Sequence, residues 1–142
     1  MDYIAANFLP ILAATVASWL FGALWYGLLG KPWMRAAGVQ ESDIKRPDGR
    51  TSRSPFILSF IFEFWMAAIL AGALILAPVD AGLWQVALGT AFIIWIGFVL
   101  PTQLINHRYT MRPWSLTALD GAHWLGVMLI HAVVLTLIGV SA

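Results

Sequence analysis

Cysteine is absent from the chain, which excludes disulfides, thiolate metal sites, iron–sulfur ligation and cysteine nucleophiles together and leaves the redox compartment open. Charge is scarce as well: Asp, Glu, Lys and Arg make up 11% of the 142 residues, against about 25% in an average soluble domain. A net charge of only +1 gives no general attraction to nucleic acid, so no nucleic-acid partner is expected. The sequence also has no glycine-rich phosphate loop, no Ser-centred nucleophile elbow and no His-Glu-x-x-His helix. What it has in excess is apolar surface, 61% of residues. A soluble domain of this length cannot hide so much; a lipid bilayer accepts it directly.

A spanning helix needs about 20 predominantly apolar residues, and four stretches qualify: 3–30, 56–77, 83–105 and 116–140. The expected fold is therefore an all-α integral membrane protein, one domain over 1–142, with four helices arranged as two hairpins. The start Met1-Asp2-Tyr3 lacks a basic region and its apolar run exceeds a signal-peptide core, so the first helix is expected to be retained. Every Lys and Arg falls in one of two connections, Lys31 to Arg53 after the first span and Arg108 with Arg112 after the third. Basic loops stay on the cytoplasmic side. The expectation is thus a multi-pass protein of the cell membrane with both termini and the Pro78-Val79-Asp80 turn on the non-cytoplasmic side. The loop 31–55 is rich in turn formers after Lys45, and its bases suit anchoring at an anionic leaflet.

Helices in lipid approach closely where small residues recur at spacing four. Ala14, Ser18 and Gly22 form such a seam in the first span, Ala68 and Gly72 in the second, Gly89 and Gly97 in the third, and Ala118, Ala122 and Gly126 in the fourth. A bundle of four spans has few internal contacts, which makes a homo-oligomer the expected state. Of the eight Trp, Trp33, Trp84 and Trp114 fall at the expected interfaces, while Trp19, Trp65 and Trp95 lie deeper, where the indole N–H seeks an acceptor.

Ionisable groups inside a span are expensive and usually face a bundle interior or a partner. Here they are Glu63 in the second span and Asp120, His123 and His131 in the fourth, with Thr102, Gln103, Asn106 and His107 at the end of the third. Glu63 is eight residues past Pro55, and Asp120 and His123 are seven and ten past Pro113, so a common depth of about 10 Å is expected at 1.5 Å per residue. Thr102, Gln103, Asn106, Trp25 and Tyr26 are expected in the same layer. The candidate site is this polar chamber facing the cytoplasm, suited to a small polar solute, a cation or a proton; His131, some 16 Å deeper, reads as a packing residue. Capping of the fourth span by Asp120 is the competing structural reading. Asp-x-x-His plus one Glu is too small a set to assign a metal, and no cofactor is named by the residues.

Lys31-Pro32-Trp33 and Arg112-Pro113-Trp114 each combine a base, a proline and an indole at the start of a new segment, as interface chemistry would. The stretches Phe21 to Gly27, Gly30 to Met34, Thr102 to Asn106, Arg112 to Trp114 and Leu119 to Trp124 resemble the bacterial membrane family catalogued as domain of unknown function 1761. The resemblance implies a small four-helix protein of the bacterial inner membrane and carries over Trp25, Tyr26, Asn106, Arg112, Pro113 and Asp120. His123 departs from it, standing where an aromatic such as Tyr is expected, and Glu63 lies outside the matched stretches. Two other functions stay open beside a channel, transporter or binding protein: an accessory subunit without its own chemistry, and an intramembrane enzyme using a metal or quinone.

Overall fold

The computed structural model describes residues 2–45, 52–78 and 82–141. A short α1 (Asp2–Ala6) leads into the long α2 (Phe8–Ala37). Then come α3 (Ser54–Ile75), α4 (Leu83–Ile94), a π-helical turn (Trp95–Val99), α5 (Leu100–Tyr109) and α6 (Trp114–Ile138). No strand occurs among the described residues. Four helices are long and apolar enough to cross a membrane: α2, α3, the continuous Leu83–Tyr109 and α6. Residues 79–80 of the expected turn, and Arg46 and Arg50 of the basic loop, lie outside the described residues.

The first span does not stop at Gly30. Its 30 residues make a rod of about 45 Å, against a hydrocarbon thickness of about 30 Å. The helix therefore carries Lys31, Pro32 and Trp33 within it, and Lys31-Pro32-Trp33 does not open a new segment as the sequence implied. Pro32 removes one backbone bond inside the helix, but Lys31 and Pro32 are exposed, so the freed carbonyl meets the outside rather than the core. The helix ends at Gly38, whose φ of 63° suits glycine. The Arg112 guanidinium packs where a Cβ on Gly38 would stand, placing a positive charge at the α2 C-terminus, where the dipole favours it.

Pro101 explains the π-helical turn. It has no N–H to give to Gly97 and its ring crowds that carbonyl, so the turn over Trp95–Val99 widens by one residue. The Thr102 hydroxyl satisfies the Phe98 carbonyl at 2.6 Å.

The core is built of small residues. Ala14, Ala67, Ala68, Ala71, Ala87, Ala91 and Ala132 are fully buried around Ile11, Leu70, Met128 and Leu135. Large side chains such as Leu24, Leu28, Ile57, Ile93 and Phe98 point outward. That is the pattern of helices that associate by close backbone approach within lipid. The most extensive packing joins the first and last spans, α2 and α6; α3 packs mainly on α2, and α4 mainly on α6. The seams are used unevenly. Ala14, Ser18 and Gly22 are buried as expected, but Ala118 and Ala122 are exposed, and nothing lies within 4 Å of a Cβ placed on Gly89 or Gly97.

At the end away from the basic residues, Asn7 is buried and closes the bundle. Its Nδ2 donates to the carbonyls of Tyr3 (2.8 Å) and Ser141 (2.7 Å), and its Oδ1 accepts from the Ser141 N–H at 2.8 Å. Tyr3 donates to the Ala68 carbonyl at 3.2 Å.

Candidate functional site

The antiparallel pairing of α2 and α6 sets the geometry. Along α2, Ser18, Gly22 and Tyr26 recur at spacing four and share a face, with Trp33 two turns beyond. Along α6, Asp120, His123, Val127 and His131 follow at helical spacing. The two stripes meet, and the polar groups fall into two clusters at different heights.

The upper cluster is at the basic end. Asp120 Oδ1 accepts from Trp33 Nε1 at 2.8 Å and from the Tyr26 hydroxyl at 3.4 Å. Its Oδ2 stands 3.5 Å from His107 Nε2, and His107 Nδ1 meets Thr117 Oγ1 at 3.0 Å. Asp120 thus joins α2, α5 and α6. Among the described residues it makes no hydrogen bond to a backbone N–H, so it does not cap α6, whose first residue is Trp114. Outside the spans, Lys45 lies 2.9 Å from Glu41 and holds that exposed carboxyl below its ordinary range.

The lower cluster is deep in the bundle. Ser18 Oγ lies 2.5 Å from Glu63 Oε2 and 2.8 Å from His131 Nε2, and all three residues are buried. This chain of carboxylate, hydroxyl and imidazole crosses from α3 through α2 to α6. His131, expected to stand apart as a packing residue, is part of it.

The common layer of Glu63 and Asp120 expected from the sequence is therefore corrected. Counting depth from each helix's own start presumes that the helices start level. They do not: Pro55 at the head of α3 lines the same space as Gly27, whereas Leu116 near the head of α6 packs on Ala36 and Ala37. Glu63 meets Ser18 and Asp120 meets Tyr26, eight residues apart on α2, an offset of about 12 Å.

The early start of α6 and late start of α3 leave a cavity of about 550 Å³ beside the head of α3. Gly22, Ala23, Tyr26 and Gly27 of α2, Pro55, Phe56, Ser59 and Glu63 of α3, and His123 and Trp124 of α6 line it with Trp19. It is mostly apolar. Ala23, Gly27, Pro55 and Phe56 are exposed, so it opens at the bundle surface between α2 and α3. Trp19 is fixed there by Nε1 bonds to the Phe56 carbonyl (3.1 Å) and Ser59 Oγ (3.2 Å).

His123 connects the two heights. It stacks on Phe21 with ring centroids 5.9 Å apart and planes at 10°, and contacts the rings of Tyr26 and Trp124 at 4.8 and 5.1 Å. Although it is only 4% exposed, neither ring nitrogen has a hydrogen-bond partner. Its Nε2 faces Gly22, where a Cβ would stand 3.2 Å away.

The other expected site residues do not converge. Asn106 and Thr102 are exposed, and the Thr102 hydroxyl is taken by its own helix. Gln103 lies against Gly121 of α6, its Oε1 buried and unpartnered. Trp25 packs on Phe21 and His123 with its N–H buried and unpaired. Arg108 lies over the Trp114 ring, at 4.2 Å. No group of three His, Asp or Glu side chains is placed to hold a metal among the described residues. The sequence marks Ser18 as a seam residue, His131 as a packing residue and Trp19 as a deep indole without assigning them to the site, and it does not single out Ser59 or Trp124; the signal available for the first two was the spacing of matching stripes on α2 and α6.

Fold and site together define a class: a small all-helical chain of four membrane-length helices with buried polar groups between them. A family model described as "Protein of unknown function (DUF1761)" matches residues 9–136, and the chain belongs to that family. The match includes Ser18, Glu63, His107, Asp120, His123 and His131. No curated protein and no solved structure matches the chain.

Proposed function

We propose that the protein is a multi-pass membrane protein that binds, and carries, a small ligand in the cavity between α2, α3 and α6. The observation that carries this reading is His123, a nearly fully buried imidazole on the cavity wall with both nitrogens unpartnered. Leaving a buried polar group unpaired costs about 1–3 kcal/mol, and such a group in a native fold calls for an explanation, which a molecule bound in the cavity would supply for His123. The volume is within the range of small-ligand sites, about 300–1,000 Å³. Glu63 adds a carboxylate whose one donor among the described residues is Ser18.

The Asp120 cluster has a different part in this reading. Its carboxylate is occupied by Trp33, Tyr26 and His107, so it holds the basic ends of three helices together and fixes Tyr26 on the cavity rim. The basic residues of this end favour the cytoplasmic side for it, and on that reading the cavity mouth lies toward the cytoplasmic headgroups.

Gly27 supplies the test. Nothing lies within 4 Å of a Cβ placed there, and Gly27 lines the cavity at its exposed mouth, so Gly27→Phe is expected to obstruct the cavity while it removes a mid-helix glycine. In mild detergent, a panel of small molecules is expected to include members that raise the melting temperature of the natural protein and leave Gly27→Phe unmoved. The reading fails if no compound separates the two proteins.

A further inference from the structure

The lining of the cavity is selective about charge. Among the described residues that form it, Glu63 is the one formally anionic group, and no Lys or Arg is present. Nor does Glu63 pair with a Lys or Arg: among the described residues the ion pair of formally charged groups is Lys45 with Glu41, His107 is the neighbour of Asp120, and His131 reaches Glu63 only through Ser18. A buried carboxylate without a cation is an expensive group: it is relieved by taking up a proton or by a positive partner brought into the same low-dielectric space. Calcium or magnesium is a poor fit, because it takes six or more oxygen ligands and the wall offers one carboxylate and two hydroxyls, Tyr26 and Ser59; with His123 beside Glu63 the wall still lacks a third His, Asp or Glu for a transition metal among the described residues. Anions find no Lys or Arg on the wall.

The rest of the wall is aromatic. Trp19, Tyr26, Phe56 and Trp124 surround the space that Glu63 closes at its inner end. Ring faces attract cations that carry their charge on a weakly hydrated, alkylated nitrogen, and such aromatic cages are a recurrent means of holding quaternary ammonium groups. The mouth lies at the bundle surface beside exposed Phe56 and Gly27. An entrance between lipid-facing helices admits a ligand with an apolar body.

Building on the cavity reading above, we propose that the ligand is an organic ammonium compound that carries an N–H and an apolar body, its cationic head against Glu63 and the rings of Trp19, Tyr26 and Trp124 and its N–H supplying the partner that His123 lacks. Two sources share this chemistry, a free amphiphilic amine and the ammonium headgroup of a membrane lipid.

Protonated N,N-dimethylbenzylamine, which keeps one N–H, and its uncharged isostere isobutylbenzene test the assignment, because they share shape and differ in charge. Binding is read from the indole emission and melting temperature of the detergent-purified protein. The cation is expected to bind saturably and at least 10-fold more tightly than the isostere. Glu63→Gln should remove that preference, Glu63→Asp should retain part of it, and Gly27→Phe should bind neither probe. Repeating the titration in phosphatidylglycerol nanodiscs with and without phosphatidylethanolamine separates the sources: competition by the second lipid assigns the site to a headgroup, and its absence to a free amine. Equal binding of the two probes, an unchanged preference in Glu63→Gln, or no binding of the cation overturns the proposal. Should other members of the compound panel still distinguish the natural protein from Gly27→Phe, the cavity remains a binding site for a ligand of another class. The comparison of the two probes needs only the natural protein, so a Glu63 variant that fails to fold leaves the test intact.

Discussion

Asp120 accepts from two aromatic donors and faces His107, and each contact ties α6 to another helix. Replacing it with Leu leaves the Trp33 N–H and the Tyr26 hydroxyl without their acceptor, and such orphaned donors cost about 1–3 kcal/mol each. Asp120→Asn keeps an amide oxygen for Trp33 and gives up the charge facing His107, so it should cost less. Chemical unfolding in detergent is expected to rank the proteins natural, Asp120→Asn, Asp120→Leu, and an equal loss for the two variants would mean that Trp33 is not held by this bond. The residue identities were legible in the sequence: Glu63, Asp120 and His123 stand out as groups that do not belong in lipid. Their pairing was not. Ser18 reads as a small packing residue and is one, yet its hydroxyl also bridges Glu63 to His131, a role visible only when three helices are set side by side.

At the level of elements, long apolar runs announced the four spans, and their number holds. Two helix boundaries did not follow from composition. Lys31 and Pro32 resemble a terminator, but a helix that has already left the hydrocarbon can continue through both. The π-helical turn is written in Pro101 only as a disturbance; the sequence does not say whether the helix will break, kink or widen. The glycine seams show the same limit, since spacing marks where close approach is possible and not which helix arrives. Gly126 lies under the Phe21 ring, where a Cβ would collide, whereas Gly97 has open space. Gly126→Ala should therefore destabilise the bundle by about 1–3 kcal/mol through overpacking. Gly97→Ala should be neutral or stabilising by up to about 1 kcal/mol from helix propensity. Thermal unfolding of the two variants checks the contrast, and a destabilised Gly97→Ala would show that this face is covered in the assembled protein.

For the molecule as a whole, the absence of cysteine becomes an experimental convenience. Met111 is 89% exposed in the turn between α5 and α6, and Ser141 lies at the opposite end beside Asn7. With Met111→Cys and Ser141→Cys prepared singly in intact cells, a membrane-impermeant maleimide is expected to label Ser141→Cys directly and Met111→Cys only after the membrane is opened. The reverse pattern would invert the orientation inferred from the basic residues and would move the cavity mouth to the outer leaflet. Charge placement along the chain is the whole basis of that inference. The stagger of α3 against α2 and α6, which creates the cavity, had no counterpart in the sequence because apolar runs set the length of a helix and not its height.

The parallel stacking of His123 on Phe21, with Tyr26 and Trp124 close by, has a spectroscopic consequence. The chain contains three histidines, so its imidazole resonances are few enough to assign by substitution. The ring currents of Phe21, Tyr26 and Trp124 displace the carbon-bound protons of His123 from those of His107 and His131. A molecule in the cavity lies against His123, Tyr26 and Trp124 and is expected to move that signal, which makes His123 a native, label-free reporter of occupancy.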